Sequence, residues 1–383
     1  MVGNNRGIAL ILTMWILLAL ILLAAGISMM AHTEVQISRN YADVTRCRWV
    51  ARAGVYQALA EIKTLSEGTT TYLGEEPHIV SSADSAVDLG DYSYEASIID
   101  EAGRMNINTA SAETLTNLFG VSDVADCIVD WRDSDDTPGA EGAEAEYYSA
   151  LDQPYKCKNA NFSTVRELLL VKGLTEDILT SPTEEDGPLL INLLTVYEAK
   201  STTQAATDGQ VDIQSANQQS LQDALGEVLS PEDIDAIIKY RTTSSFQSVA
   251  EIVRVPGLDR SKIVEIYDRL TVSGEQAKSG RVNVNTASAN VLAVQQGMDS
   301  SIAQAIVDYR SEHGALENVG QLLDVSAVTD EAFVAGAPSF TVKSNLFRIV
   351  STGRMEKTGA SATITCIVEV GGTGEPQIRY WQE

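Results

Sequence analysis

Histidine and cysteine are scarce in this 383-residue chain, three of one and four of the other. The cysteines are scattered with no C-x-x-C pair, which argues against a zinc site or a dithiol redox centre. His32, His78 and His313 stand far apart, too dispersed for ordinary acid–base work. The sequence also lacks a glycine-rich phosphate loop, a G-x-S-x-G elbow and an H-E-x-x-H pair, so no enzyme is expected. Basic residues are few, 27 against 53 acidic, for a formal charge of −26. Such a surface repels nucleic acid phosphates and attracts divalent cations. What the chain does have is 44% hydrophobic residues, enough for a real core, and a length with room for more than one domain.

Charge is missing altogether from Ile8 to Ala31. A helix of roughly 20 residues crosses the hydrocarbon core, whereas a secretory signal has only ~7–15 apolar residues. Apolar positions continue at steps of three or four through Ile37, Tyr41, Val44, Cys47, Ala51, Val55, Ala58 and Ile62, one face of a single helix. The pattern predicts a helix over 8–63, membrane-spanning over 8–31, that leaves the membrane as an amphipathic stem. Arg6-Gly7 stands directly before the run as a short basic leader. An uncleaved anchor and a leader cut at the glycine both fit this layout. Arg39, Arg46, Arg48, Arg52 and Lys63 gather in the stem, and the positive-inside rule would turn the bulk of the chain inward, opposed only by Arg6.

A motif recurs downstream. "GRMNINTAS" from Gly103 returns as "GRVNVNTAS" from Gly280, with a weaker copy, "GQVDIQSAN", from Gly209. Each is followed by a segment ending in Trp/Tyr-Arg and then by "FSTVRELLLVKGL", "FQSVAEIVRVPGL" or "LENVGQLLDVSAV". Three aligned copies of about sixty residues indicate three similar helical modules, near 102–180, 209–272 and 280–341. Thr109, Ser215 and Thr286 are read as helix N-caps. Ile128, Val129, Ile237, Ile238, Ile306 and Val307 are expected to face the module cores. The grammar is similar to that of helix-hairpin-helix DNA-binding domains, which hold phosphate on backbone amides beside a glycine turn. Here acidic residues follow the turns, so structural modules are expected and no nucleic acid partner.

The first copy carries an insertion, Asp130 to Phe162, that the others lack. Asp133, Asp135 and Asp136 alternate around a turn, and Pro138-Gly139 bends the chain back toward Glu141, Glu144 and Glu146. Hard oxygen ligands on a loop suit calcium; a solvated acidic loop is the other reading. In an oxidising compartment, Cys127 and Cys157 could close a disulfide across this loop or remain reduced. Tyr92 to Glu101 alternates like a strand before the first module. After the third, Leu346 to Val370 reads as two strands around a polar turn and "QIRYWQE" as a last one. The fold expected is α+β: an N-terminal helix packed on a small antiparallel sheet built from 64–100 and 342–383, interrupted by a helical insertion over 101–341.

The leader and apolar helix resemble those of type IV prepilins and type II secretion pseudopilins. "DEAGRMNINTA", "IVDWRDSDD", "GAEAEYY" and "ELLLVKGL" further resemble the K class of minor pseudopilins. That resemblance implies a pseudopilin fold with an insertion of SAM-like, helix-hairpin-helix-like modules. It implies cleavage by a prepilin peptidase after Gly7, so that Ile8 becomes the methylated first mature residue. The fifth mature position, usually Glu, is Leu12, as in a tip subunit with nothing ahead of it. Implied partners are the I- and J-class minor pseudopilins, the major pseudopilin and the inner membrane, crossed once with the bulk of the chain in the periplasm. Implied calcium ligands are Asp133, Asp135 and Glu144, with Asp136 nearby; Ala145 departs from the acidic residue often found there. A membrane-anchored helix-hairpin-helix protein of DNA uptake and a type IV pilus minor pilin are the alternatives.

Overall fold

The computed structural model describes residues 6–66, 70–74, 77–84, 89–183, 187–198, 210–273, 279–371 and 375–383. Residues 1–5 of the leader and Gly209, where the second repeat begins, lie outside the described residues. Helix α1 (Arg6–Ser66) runs unbroken for 61 residues, with Gly7 and Ile8 on its first turn. At 1.5 Å per residue that is a rod of about 90 Å. Every large apolar side chain from Leu10 to Met30 is exposed, a stretch long and apolar enough to cross a membrane.

The rest of α1 is bolted to a sheet. Strands β1 (His78–Ser81), β2 (Tyr92–Asp100), β3 (Leu346–Met355), β4 (Ser361–Val370) and β5 (Pro376–Gln382) form an antiparallel meander in chain order. Only β1 went unread in the sequence, since four residues beside a short loop carry little pattern. From Cys47 onward α1 buries Ala51, Val55, Ala58 and Ile62 against Ala96, Ile98, Phe347, Ile349, Ile364, Cys366 and Val368. The apolar face expected to run from Ile37 is thus split: Ile37 and Tyr41 remain exposed because α1 there projects past the sheet. Two glycines set how closely helix and sheet approach. A Cβ on Gly54 would run into Ser351 and Tyr94, and one on Gly353 into the backbone of Cys47 and Ala51. Three of the five stem cations have carboxylate partners in this packing, Arg52 and Arg48 with Glu383 and Lys63 with Glu375, and Arg46 donates to the Tyr92 hydroxyl.

Between β2 and β3 the three modules share one build. A two-residue strand enters (Met105–Asn106, Val211–Asp212, Val282–Asn283) and pairs in parallel with one that leaves (Leu194–Thr195, Leu270–Thr271, Phe340–Thr341). The first module therefore continues past residue 180. The arginine of each Trp/Tyr-Arg pair explains the motif: Arg132, Arg241 and Arg310 donate to the carbonyls of Ile107, Ile213 and Val284 at the strand exit. The next residue, Asn108, Gln214 or Asn285, accepts from the amide of Phe162, Phe246 or Leu316 at the start of the second half. The caps sit two residues later than expected: Ser111, Asn217 and Ser288 accept from Thr114, Ser220 and Val291 amides. Thr109, Ser215 and Thr286 still belong to the turn ahead of the helix and bond elsewhere. Ile128, Ile237 and Ile306 are buried, while Val129, Ile238 and Val307 are half-buried beside them. The second and third modules share one apolar core, and the first has its own.

Candidate metal centre

Helix Ser122–Arg132 brings Asp130 and, one residue past its end, Asp133 onto one side, the ordinary consequence of a three-residue step. At the equivalent helical position the other modules carry Lys239 and Asp308, both exposed. In the first module the inserted loop covers Asp130, leaving it 3% exposed. The cover is close: Gly139 N donates to both Asp130 oxygens at 3.1 Å, and a Cβ on Gly142 would overlap the Asp130 carboxylate. The loop has a core of its own around Tyr148, fully buried, edge-on to Trp131 at 5.0 Å and 5.3 Å from Tyr155. Glu144, just before the short helix Ala145–Ser149 that carries Tyr148, is thereby turned inward.

One carboxylate oxygen each from Asp130, Asp133 and Glu144 lies within 4.8 Å of the others. Glu144 is 4% exposed and both its oxygens lack a hydrogen-bond donor, although the Cys157 thiol lies against it. Burial, and then the charges of Asp130 and Asp133, push its carboxyl up to about 7. Burial also raises Asp130, offset by the Gly139 and Ala143 amides. An orphaned buried carboxylate beside two others is costly unless a cation supplies the missing charge, so the residues present fit a hard divalent ion.

Of the expected ligands, Asp133 and Glu144 meet here. Asp135 instead accepts from Thr137 N at 2.8 Å, and Asp136 from Asn159 Nδ2 at 2.9 Å. Asn159, at φ 46°, also binds the Asp135 carbonyl and so holds this limb of the loop away from the cluster. Asp130 was not anticipated; the signal was its three-residue step to Asp133. Cys127 and Cys157 are free thiols, the second of the two states the sequence left open: Cys127 faces the Glu141 carbonyl while Cys157 faces Glu144. Leu12 is exposed on the apolar half of α1.

Residues 99–181 match the family model of type II secretion system (T2SS), protein K, and residues 277–341 that of the helix-hairpin-helix motif. The type II secretion system protein K of Pectobacterium carotovorum subsp. carotovorum is 32% identical over 117 residues, 24% of this chain and 36% of that one. Its counterpart in Pseudomonas aeruginosa is 26% identical over 227 residues, 51% of this chain and 66% of that one. The chain thus spans about a third of the one relative and about two thirds of the other. A chain of the GspK-GspI-GspJ complex from the enterotoxigenic Escherichia coli type 2 secretion system has the same fold, with a TM-score of 0.51 at 13% identity over 90% of this chain and 98% of that one. A long helix seated on an antiparallel meander is the build of a pilin-type subunit, and the helical head between β2 and β3 distinguishes this one. Among such subunits the chain is similar to the type II secretion system protein K family, over residues 99–181 by the family model and across the fold by the solved complex.

Proposed function

We propose that the chain is a minor pseudopilin at the tip of the type II secretion pseudopilus, where it joins the I- and J-class minor pseudopilins above the major one, starts or caps the fibre and supports export of folded proteins. The observation that carries this reading is the division of α1, whose first half is bare and apolar while its second half bears a sheet and a bulky head. Such a subunit sits in the inner membrane by a single span, its bulk in the periplasm, after prepilin peptidase has cut between Gly7 and Ile8. Leu12 needs no charged partner ahead of it, which suits the end of a fibre. The chain acts as a structural subunit rather than an enzyme. Calcium is the ion we assign to Asp130, Asp133 and Glu144; when bound it supplies the charge that keeps the inserted loop closed.

DNA uptake is disfavoured because the hairpin cations are engaged by acceptors within the chain. Lys172 reaches the Glu141 and Gly142 carbonyls, Arg260 pairs with Asp330 at 2.5 Å and Lys262 with Asp233 at 2.7 Å. The test is to delete the chain in its host and follow secreted enzymes, and to ask whether the full-length protein co-purifies from detergent with I- and J-class partners. Retention of the enzymes in the periplasm and co-purification are expected. Undiminished secretion with salt-sensitive duplex binding would instead favour the uptake reading.

A further inference from the structure

The chain leaves the sheet and returns to it through one buried polar knot. Asp100, the last residue of β2, is completely buried. Its Oδ2 accepts from Asn283 Nδ2 at 2.9 Å, Thr286 Oγ1 at 2.7 Å and Ser344 Oγ at 2.6 Å, and its Oδ1 from Ala102 N at 2.8 Å. Thr71, in the segment after α1, adds a further tie: its carbonyl accepts from Asn283 Nδ2 at 3.1 Å and its hydroxyl from Ser344 N at 2.9 Å. The next residue, Glu101, is 1% exposed, pairs with Arg348 of β3 at 2.6 Å and accepts from Thr195 Oγ1 where the first module ends. Two consecutive carboxylates therefore gather the sheet, the first module and the third, and the Thr71 segment is tied to two of the same partners.

The repeats supply the other half of the joint. Gly103 packs against Thr286, and Gly280 against Thr109, so the two "GR-x-N-x-N-T" copies touch reciprocally, each glycine on the other copy's threonine. In the first module the residue equivalent to Asn283, Asn106, donates to Tyr197 within its own module. Asn283 and Thr286 are turned outward onto Asp100 instead. The Asp100 carboxylate, with four donors on its two oxygens, fixes one geometry, because any displacement strands several donors at once, whereas an apolar contact tolerates sliding.

We infer that Asp100 and Glu101 are a lock that holds the helical head in one orientation on the sheet. Without it the head swings about its two chain connections while head and sheet each stay folded. The test uses the full-length chain in detergent, with non-cysteine spin labels introduced at exposed Tyr56 on α1 and exposed Val121 on the head. The unmodified sequence should give one narrow label-to-label distance. Asp100→Ala should broaden it by about twofold or more, the signature of a released hinge, while amide protection in Ser122–Arg132, Ser300–His313 and β4 is retained. Thr286→Val, which removes one donor, should broaden it less. A narrow distance in folded Asp100→Ala overturns the lock, as does loss of protection throughout the head. If Asp100→Ala does not fold, an unchanged distance in Thr286→Val overturns it equally.

Discussion

Glu144 is the residue whose surroundings ask most of it. With calcium assigned to its cluster, saturating the full-length protein at a hundred times Kd should stabilise it by about 2.7 kcal/mol, read as a rise in the melting transition. Asp133→Asn and Glu144→Gln should abolish that rise, and Asp135→Asn should keep it, because Asp135 is committed to Thr137. A rise lost in Asp135→Asn would return that residue to the ligand set. Proton linkage gives a second prediction. In chelator, folded Glu144 titrates near 7 against 4.5 ordinarily. Between those values the folded chain holds a proton that the unfolded chain has released. This contribution is full below about 4.5 and lost as pH rises through about 7, so melting points in chelator should fall across that window, and less so in Glu144→Gln. Calcium competes with the same proton, so its affinity should weaken below pH 7. The sequence displayed Asp133 and Glu144 as hard ligands on a loop. It could not rank them against Asp135 and Asp136, because which carboxylates turn inward depends on Asn159 and on the buried Tyr148.

At the scale of the element, α1 was the most legible part of the chain, since an uncharged run followed by steps of three and four has only one regular solution. Its basic residues are a weak guide to orientation because a charge bias read from sequence counts every cation as solvated. Arg48, Arg52 and Lys63 have carboxylate partners near the end of the chain instead. Where α1 crosses β3 the backbones touch at Gly353, so Gly353→Ala must push the helix away or bend the strand. A cost of about 1–3 kcal/mol is expected for such overpacking, measured by thermal or denaturant unfolding. Gly371→Ala, whose Cβ would meet nothing within 4 Å, is the control and should be near neutral. Equal melting points for the two variants would show that the contact is not tight.

For the whole molecule, the repeats are not three beads on a string. Arg260 of the second module reaches the Leu323 and Val328 carbonyls of the third, Tyr267 packs edge-on to Phe333 at 5.7 Å, and a single core runs through both. Hydrogen exchange should therefore show Pro231–Thr243 and Ser300–His313 losing protection together, as one cooperative unit. Chelation should loosen Ser122–Arg132 alone, because the first module has a separate core. Protection lost independently in the second and third modules would contradict the shared core. The sequence by itself determined the long apolar helix, the sheet strands that alternate and the existence of three like modules, because each follows from the spacing of apolar and small residues along a local stretch. Only the tertiary structure decided that Asp130 is a buried partner while Asp308 is not, that Arg48, Arg52 and Lys63 are paired, and that Asn283 and Thr286 serve the sheet rather than their own module. Those outcomes rest on contacts between residues far apart in the chain, which no local pattern encodes.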